Sequence, residues 1–175
     1  DVWCFQGLPL DRVTLKQSVE YCFRHFASDR VRFVSTPNVN FMISALEDPE
    51  FLESVIDSDL AFADGAPIVW LSRVLGVNFP ERVAGSTLFE ALLNDGRPWS
   101  SFFFGGKGDA AELACKNINA TDLTCECKGY LNPGMGSVES MSVPAIINEL
   151  NEANADFIVV SLGAKKGQSW ISKNR

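Results

Sequence analysis

Helical and strand-like hydrophobic patterns alternate along this chain with few long loops, and that alternation limits the possible folds more than any other feature. Residues 2–6 (VWCFQ) and 31–35 (VRFVS) read as strands, with LKQSVEYCFRHFA between them as a helix. In that helix Leu15, Val19, Cys22, Phe23 and Phe26 recur on one face, and Thr14 is placed to cap its start. Two helical patterns follow, around 39–47 and 49–57, and Pro49 suits the first turn of the second because no N–H is needed there. LAFADG is a short buried strand ending in a turn, and PIVWLSRVLG is an apolar helix stopped by Gly76. A loop carrying PERVAGS leads to the helix TLFEALLN. SFFFGGKGD is a strand and glycine turn, with AAELACKNI as its helix. LTCECKGYL is strand-like and runs into a Gly/Pro loop from Asn132 to Ser137. VPAIINELNEA is a helix, DFIVVSLG an apolar strand, and AKKGQSWISKNR opens a last helix.

This order predicts an α/β fold, a Rossmann-like and mostly parallel sheet with helices on both faces. No internal repeat, low-complexity tract or linker interrupts it. The 175 residues suit a single domain, and 46% hydrophobic content is enough for a core. In such sheets ligands bind outside the carboxyl ends of the strands.

The formal net charge of −7 is spread over interspersed acids and bases, and no Lys/Arg run offers a phosphate-backbone footprint, so nucleic acid is not an expected partner. The apolar runs fall short of the ~20 residues a membrane-spanning helix needs. The first residues, DVWCFQG, lack the basic and apolar regions of a signal peptide. The five cysteines (Cys4, Cys22, Cys115, Cys125, Cys127) are odd in number, which with no secretory signal argues for reduced thiols in a cytoplasmic compartment. Cys125 and Cys127 would share one strand face. A metal site there needs two more ligands, and His25 is the sole histidine, so these cysteines read as small hydrophobes.

Polar and glycine-rich turns follow four strands, at Thr36–Asn40, Asp64–Gly65, Gly105–Asp109 and Gly163–Gln168, with Glu81–Ser86 in a loop between helices. Asp64 admits two roles: a carboxylate that meets a substrate hydroxyl, or a cap on the helix starting near Ala66. GGKGD lets backbone approach a phosphate at a helix N-terminus, or is turn chemistry alone; it is neither a G-x-G-x-x-G nor a Walker loop. Arg82 offers a fork of donors to a diphosphate, or a surface ion pair to Glu81 or a nearby acid. Thr36 and Asn38 suit sugar or base hydrogen bonds, and equally turn and capping work. No Ser-His-Asp set is visible, and no D-x-D motif is present to grip a nucleotide diphosphate through a divalent metal.

In order, GLPLD (7–11), TPN (36–38), DG (64–65) before PIVWLSRVLG, ERVAGSTLF (81–89), FFFGGKGDAAELA (102–114), GY (129–130) and SLGAKKGQSWI (161–171) resemble the WecG/TagA/CpsF family of glycosyltransferases. The resemblance covers nearly the whole chain and is most specific in the series from DG through ERVAG to FFFGG. It implies transfer of a sugar from a UDP-sugar to a lipid-linked sugar acceptor, with inversion, no cofactor and no essential metal, at the cytoplasmic membrane face in polysaccharide or wall-polymer assembly. By the same resemblance Asp64 matches the family's general base and Arg82 its E-R-x-x-G arginine, which stabilises charge on the departing diphosphate. Thr36 and Asn38 match a polar pair at the substrate pocket, and Asn40, Gly65, Gly105, Gly106, Gly163 and Gln168 complete the expected substrate-binding set.

Two departures stand out. The family's G-A-P-K-Q-E-x-W becomes GAKKGQSW at 163–170, so Lys165 replaces the proline, Gly167 takes the glutamine position and Gln168 the acidic one. Gln168 can serve the glutamine's role given a small backbone shift. Family members also continue through another strand and an arginine-rich tail, so residues 1–175 are expected to be a single glycosyltransferase domain, a fragment lacking that tail. The alternatives are an α/β domain that binds a nucleotide-sugar without chemistry of its own, and a dinucleotide oxidoreductase, which the GLPLD in place of G-x-G-x-x-G disfavours. A homo-oligomer is a further possibility, through helices such as PIVWLSRVL.

Overall fold

The computed structural model describes residues 1–24 and 30–175; His25 and Phe26 lie outside the described residues. The chain forms two compact units, Asp1–Leu92 with Arg175, and Leu93–Asn174.

The first unit opens with β1 (Val2–Phe5) and β2 (Leu8–Asp11), an antiparallel pair in the register Phe5↔Leu8. Gln6 and Gly7 between them have φ of 53° and 87°, the positive values that a two-residue hairpin turn requires. GLPLD is therefore mostly a second strand. Leu8 and Leu10 of β2 point inward into two hydrophobic clusters, one with Phe41, Phe51 and Val55, the other with Phe5, Ala63, Ile68 and Phe79. Each such fully buried side chain contributes roughly 1.5–3 kcal/mol. α1 (Leu15–Arg24) starts in a capping box: Thr14 Oγ1 accepts from Gln17 N–H at 3.2 Å, and Gln17 Oε1 accepts from Thr14 N–H at 2.9 Å.

β3 (Val34–Ser35) runs parallel to β4 (Leu60–Ala61), and a parallel bridge Asp11↔Phe62 joins the hairpin to the end of β4. β3 is shorter than the strand expected over 31–35. Its start is held by a side chain instead: Asp59 Oδ2 accepts from Phe33 N–H at 2.9 Å, and Asp59 Oδ1 accepts from Arg32 at 3.1 Å. α2 (Val39–Glu47) and α3 (Pro49–Ile56) follow, α3 capped by Asp48 and opened by Pro49. α4 (Ala66–Val74) ends as expected at Gly76: Gly76 N–H bonds Arg73 O and Val77 N–H bonds Ser72 O, the paired closure of a helix terminated by a left-handed glycine. α5 (Gly85–Leu93) follows, all but its last residue in this unit.

The second unit is a parallel sheet in the order β6-β5-β7, made of β5 (Trp99–Gly105), β6 (Cys125–Leu131) and β7 (Phe157–Ser161). α6 (Ala110–Asn119), α7 (Pro144–Ala153) and α8 (Ala164–Asn174) follow the three strands in turn. The chain steps from β5 to β6 in one direction and then crosses back to β7. Equal handedness of both crossovers therefore puts α6 and α7 on opposite faces. The packing agrees: Phe102 and Phe104 of β5 cluster with Leu150 of α7 and Trp170 of α8, while Cys127 of β6 meets Cys115 of α6. The order reverses at β5, so its carboxyl end is the switch point where ligands bind in sheets of this kind. This is the α/β, mostly parallel architecture expected from the sequence.

One expectation is corrected. Cys115 and Cys127 form a disulfide, with Cα atoms 5.2 Å apart, rather than two reduced thiols. Cys127 points to the face that α6 covers, and Cys115 is an inward position of α6, so packing brings the sulfurs together. Cys4, Cys22 and Cys125 remain free.

Candidate functional site

In the first unit the strand ends gather polar side chains through backbone pairing. Asp64 N–H donates to Pro37 O at 2.8 Å, and Val83 N–H donates to Ala63 O at 2.9 Å. That second bond ties the 81–86 loop to the segment following β4, and Arg82 stands beside Asp64. Arg82 Nε donates to Asp64 Oδ1 at 3.0 Å, with the carboxylate 20% and the guanidinium 54% exposed. The helix-capping alternative for Asp64 is not what the structure shows: α4 has Gly65 at its N-cap, with no side-chain cap bond. Gly65 has φ 156°, in a region L side chains rarely adopt, and a Cβ there would lie 4.0 Å from Asn38 Cβ.

Asn38 does capping work. Its Oδ1 accepts from the N–H groups of Asn40 and Phe41 at 3.0 and 3.2 Å, opening α2, on whose first turn Asn40 is exposed. Thr36 stands against the start of α5, its Oγ1 3.4 Å from the position a Cβ would take on Gly85. Asp11, the last residue of GLPLD, anchors this region from behind. Its Oδ2 accepts from Ala61 N–H at 2.8 Å, and burial raises its carboxyl above the ordinary range despite that bond.

In the second unit, Gly105 ends β5 with φ 92°, and a Cβ there would meet Leu162 Cδ2 at 2.7 Å and Ser161 O at 2.8 Å. Gly106 N–H donates to that same Ser161 O at 2.9 Å. The glycine turn after β5 is therefore packed directly on the end of β7, at a distance only glycine allows. Gly163 precedes α8 and accepts from Gly167 N–H at 2.8 Å. Gln168 is only 4% exposed, and among the described residues its buried Oε1 has no hydrogen-bond partner. A buried acceptor left unpaired costs about 1–3 kcal/mol, a cost that a ligand donor would remove.

The structure thus pairs Asp64 with Arg82, sets Asn38 beside Gly65 in the first unit, and sets Gly105 and Gly106 beside the end of β7 in the second. Among the described residues, no three His, Cys, Asp or Glu side chains gather as a metal site would require. No helix among them is long and apolar enough to cross a membrane.

The model of the glycosyl transferase WecG/TagA/CpsF family matches residues 3–175. The chain belongs to that family. It is 23% identical over 172 residues to the N-acetylglucosaminyldiphosphoundecaprenol N-acetyl-beta-D-mannosaminyltransferase of Bacillus subtilis, covering 97% of this chain and 65% of that protein. To the enzyme of the same name from Bacillus spizizenii it is 23% identical over 145 residues, covering 82% of this chain and 54% of the relative. The chain therefore spans about 65% of the length of the Bacillus subtilis relative.

The structure draws attention to two further residues of this chain. Gly85, the glycine of ERVAG, leaves room for Thr36 at the head of α5. Asn132 bonds the glycine turn after β5. Neither was singled out from the sequence. For Gly85 the signal was the motif's own glycine, whereas Asn132 sits in a Gly/Pro loop that reads as turn chemistry alone.

Proposed function

We propose that this chain carries the core of an inverting glycosyltransferase. It moves a hexosyl or N-acetylhexosaminyl group from a UDP-sugar to a polyprenyl-diphosphate-linked sugar acceptor in cell-wall or exopolysaccharide assembly. The observation that carries the proposal is the Asp64–Arg82 pair at the carboxyl end of β4, inside a chain of this family. Asp64 takes the proton from the acceptor hydroxyl as that oxygen attacks the anomeric carbon. The C–O bond to the UDP leaving group breaks on the opposite face, which inverts the centre. Arg82 stabilises charge gathering on the departing diphosphate, the task a divalent metal performs in D-x-D enzymes, and the reaction proceeds without a metal or other cofactor.

Thr36, Asn38, Asn40 and Gly65 line the substrate side of the first unit. Gly105, Gly106, Gly163 and Gln168 contribute donor contacts in the second, the unpaired Gln168 Oε1 accepting from a ligand hydroxyl or N–H. The undecaprenol-linked acceptor in the relatives' names supports a lipid-linked acceptor here, met by a protein held peripherally at the cytoplasmic membrane face.

Calorimetric titration with UDP and with NAD, in EDTA, tests the proposal. UDP binding that weakens about tenfold or more in Arg82→Ala, with no NAD binding, supports it. Binding of NAD in place of UDP overturns it. UDP binding without transfer to a lipid-linked acceptor would leave a nucleotide-sugar-binding domain.

A further inference from the structure

Asn132 directly follows β6, and among the described residues its side-chain bonds go to glycines. Nδ2 donates to Gly106 O at 3.2 Å and Gly108 O at 3.0 Å, and Oδ1 accepts from Gly134 N–H at 3.0 Å. Gly106 and Gly108 have φ of 101° and 61°, so the turn they belong to has wide backbone freedom and few side chains to hold its shape. In a trans peptide the N–H points opposite to the C=O. Turning the Gly106 and Gly108 carbonyls toward one side-chain amide therefore turns the N–H groups of Lys107 and Asp109 the other way. Among the described residues neither of those two N–H groups has a hydrogen-bond partner.

We propose that Asn132 is a positioning residue for donor binding: it fixes two peptide planes of the 105–109 turn so that the Lys107 and Asp109 N–H groups face the donor's diphosphate. This rests on the UDP-sugar reading above and adds to it the residue that sets the turn. The side chain touches no substrate. Its effect passes through the backbone it orients, and paired amides of this kind bind anionic oxygens well.

Asn132→Asp is nearly isosteric and keeps the acceptor for Gly134 N–H, but it sets a carboxylate oxygen against two carbonyl oxygens. Asn132→Ala removes the donor without adding charge. The test is titration of UDP into 15N-labelled chain, wild type and both variants, following affinity, backbone amide signals and thermal midpoint. The expected result is that UDP shifts the Lys107 and Asp109 amides of the wild type. Both variants should bind UDP on the order of tenfold more weakly, with midpoints little changed because Asn132 is exposed. Wild-type binding that leaves those two amides unmoved overturns the positioning role while the donor reading stands. So does Asn132→Ala binding as tightly as wild type, which would reduce any loss in Asn132→Asp to charge repulsion. No UDP binding by the wild type overturns the donor reading itself, and this role with it.

Discussion

Arg82 holds the Asp64 carboxylate at 3.0 Å, and the backbone beside each residue is pinned, Asp64 to Pro37 and Val83 to Ala63. Under the function proposed above, the guanidinium has two claimants, the carboxylate beside it and the diphosphate of an arriving donor. A diphosphate carries more charge and can take the same planar fork of donors, so on the proposed reading donor binding would draw Arg82 off Asp64 and leave the carboxylate open to the acceptor hydroxyl.

Asp64→Asn separates the two tasks. The amide takes no proton, so turnover should fall by on the order of 10²–10⁴. It also competes less well for Arg82, so UDP should bind at least as tightly as in the wild type. Steady-state rates and calorimetry on the same preparation check both. A loss of UDP affinity parallel to the loss of rate would mean that Asp64 holds the ligand or the loop.

The two glycines flanking the second unit's strand ends should differ in their tolerance of a methyl group. At Gly105 a Cβ meets Leu162 and the Ser161 carbonyl inside 3 Å, on top of a positive φ. At Gly163 φ is also positive, 81°, but nothing lies within 4 Å. Gly163→Ala should cost about 1 kcal/mol from backbone conformation alone. Gly105→Ala should cost roughly 2–4 kcal/mol, since β5 or Leu162 must also shift. Chemical denaturation measures the difference, and equal losses would show that the end of β7 gives way freely.

Much of this architecture was legible because period and punctuation agreed. Thr14 and Gln17 open α1 as a capping box, Pro49 opens α3, and Gly76 ends α4, each by a local rule that tertiary packing did not override. β2 was missed because Gln6-Gly7 forms a tight hairpin turn without the usual asparagine, and the strand that follows contains Pro9. β3 was overextended because VRFVS has the composition of a strand, while Asp59, 26 residues later, supplies the bonds a neighbour would have given to Phe33. For the site, the sequence offered Asp64 and Arg82 as separate candidates with bland alternatives. Their pairing depends on the Val83–Ala63 and Asp64–Pro37 backbone bonds, which no spacing encodes. The Cys115–Cys127 pairing was likewise hidden, since it follows from which face of the sheet α6 covers.

Thiol chemistry reports on that last point. Cys4 is exposed, whereas Cys22 is buried, and burial pushes its thiol up to about 12. A thiol-specific alkylating reagent should label Cys4 rapidly in the folded chain and leave Cys22 unreacted, because the thiolate is the nucleophile. In denaturant without reductant, Cys4, Cys22 and Cys125 should react, with Cys115 and Cys127 joining only after reduction. Mass spectrometry of the labelled peptides reads both. Free Cys115 in the unreduced chain would show that the two sulfurs touch without bonding.

Asp59 gives the fold a dependence on acid. Its side chain is 11% exposed. Burial alone would raise its carboxyl, but Phe33 N–H, Arg32 and Arg30 outweigh that and hold it below the usual carboxylate range. A carboxyl depressed in the folded state contributes stability that is fully present above its unfolded value, about 3.9, and is lost as pH falls through the lowered folded value. Asp59→Asn should therefore destabilise the chain by roughly 1–3 kcal/mol at neutral pH, where it removes charge-assisted bonds at the start of β3. The gap from wild type should then narrow below about pH 4 as the native carboxyl is protonated too. Urea unfolding of both proteins from pH 7 to pH 3 checks the sign. A gap that stays constant across that range would mean that Asp59 acts through its shape and not its charge.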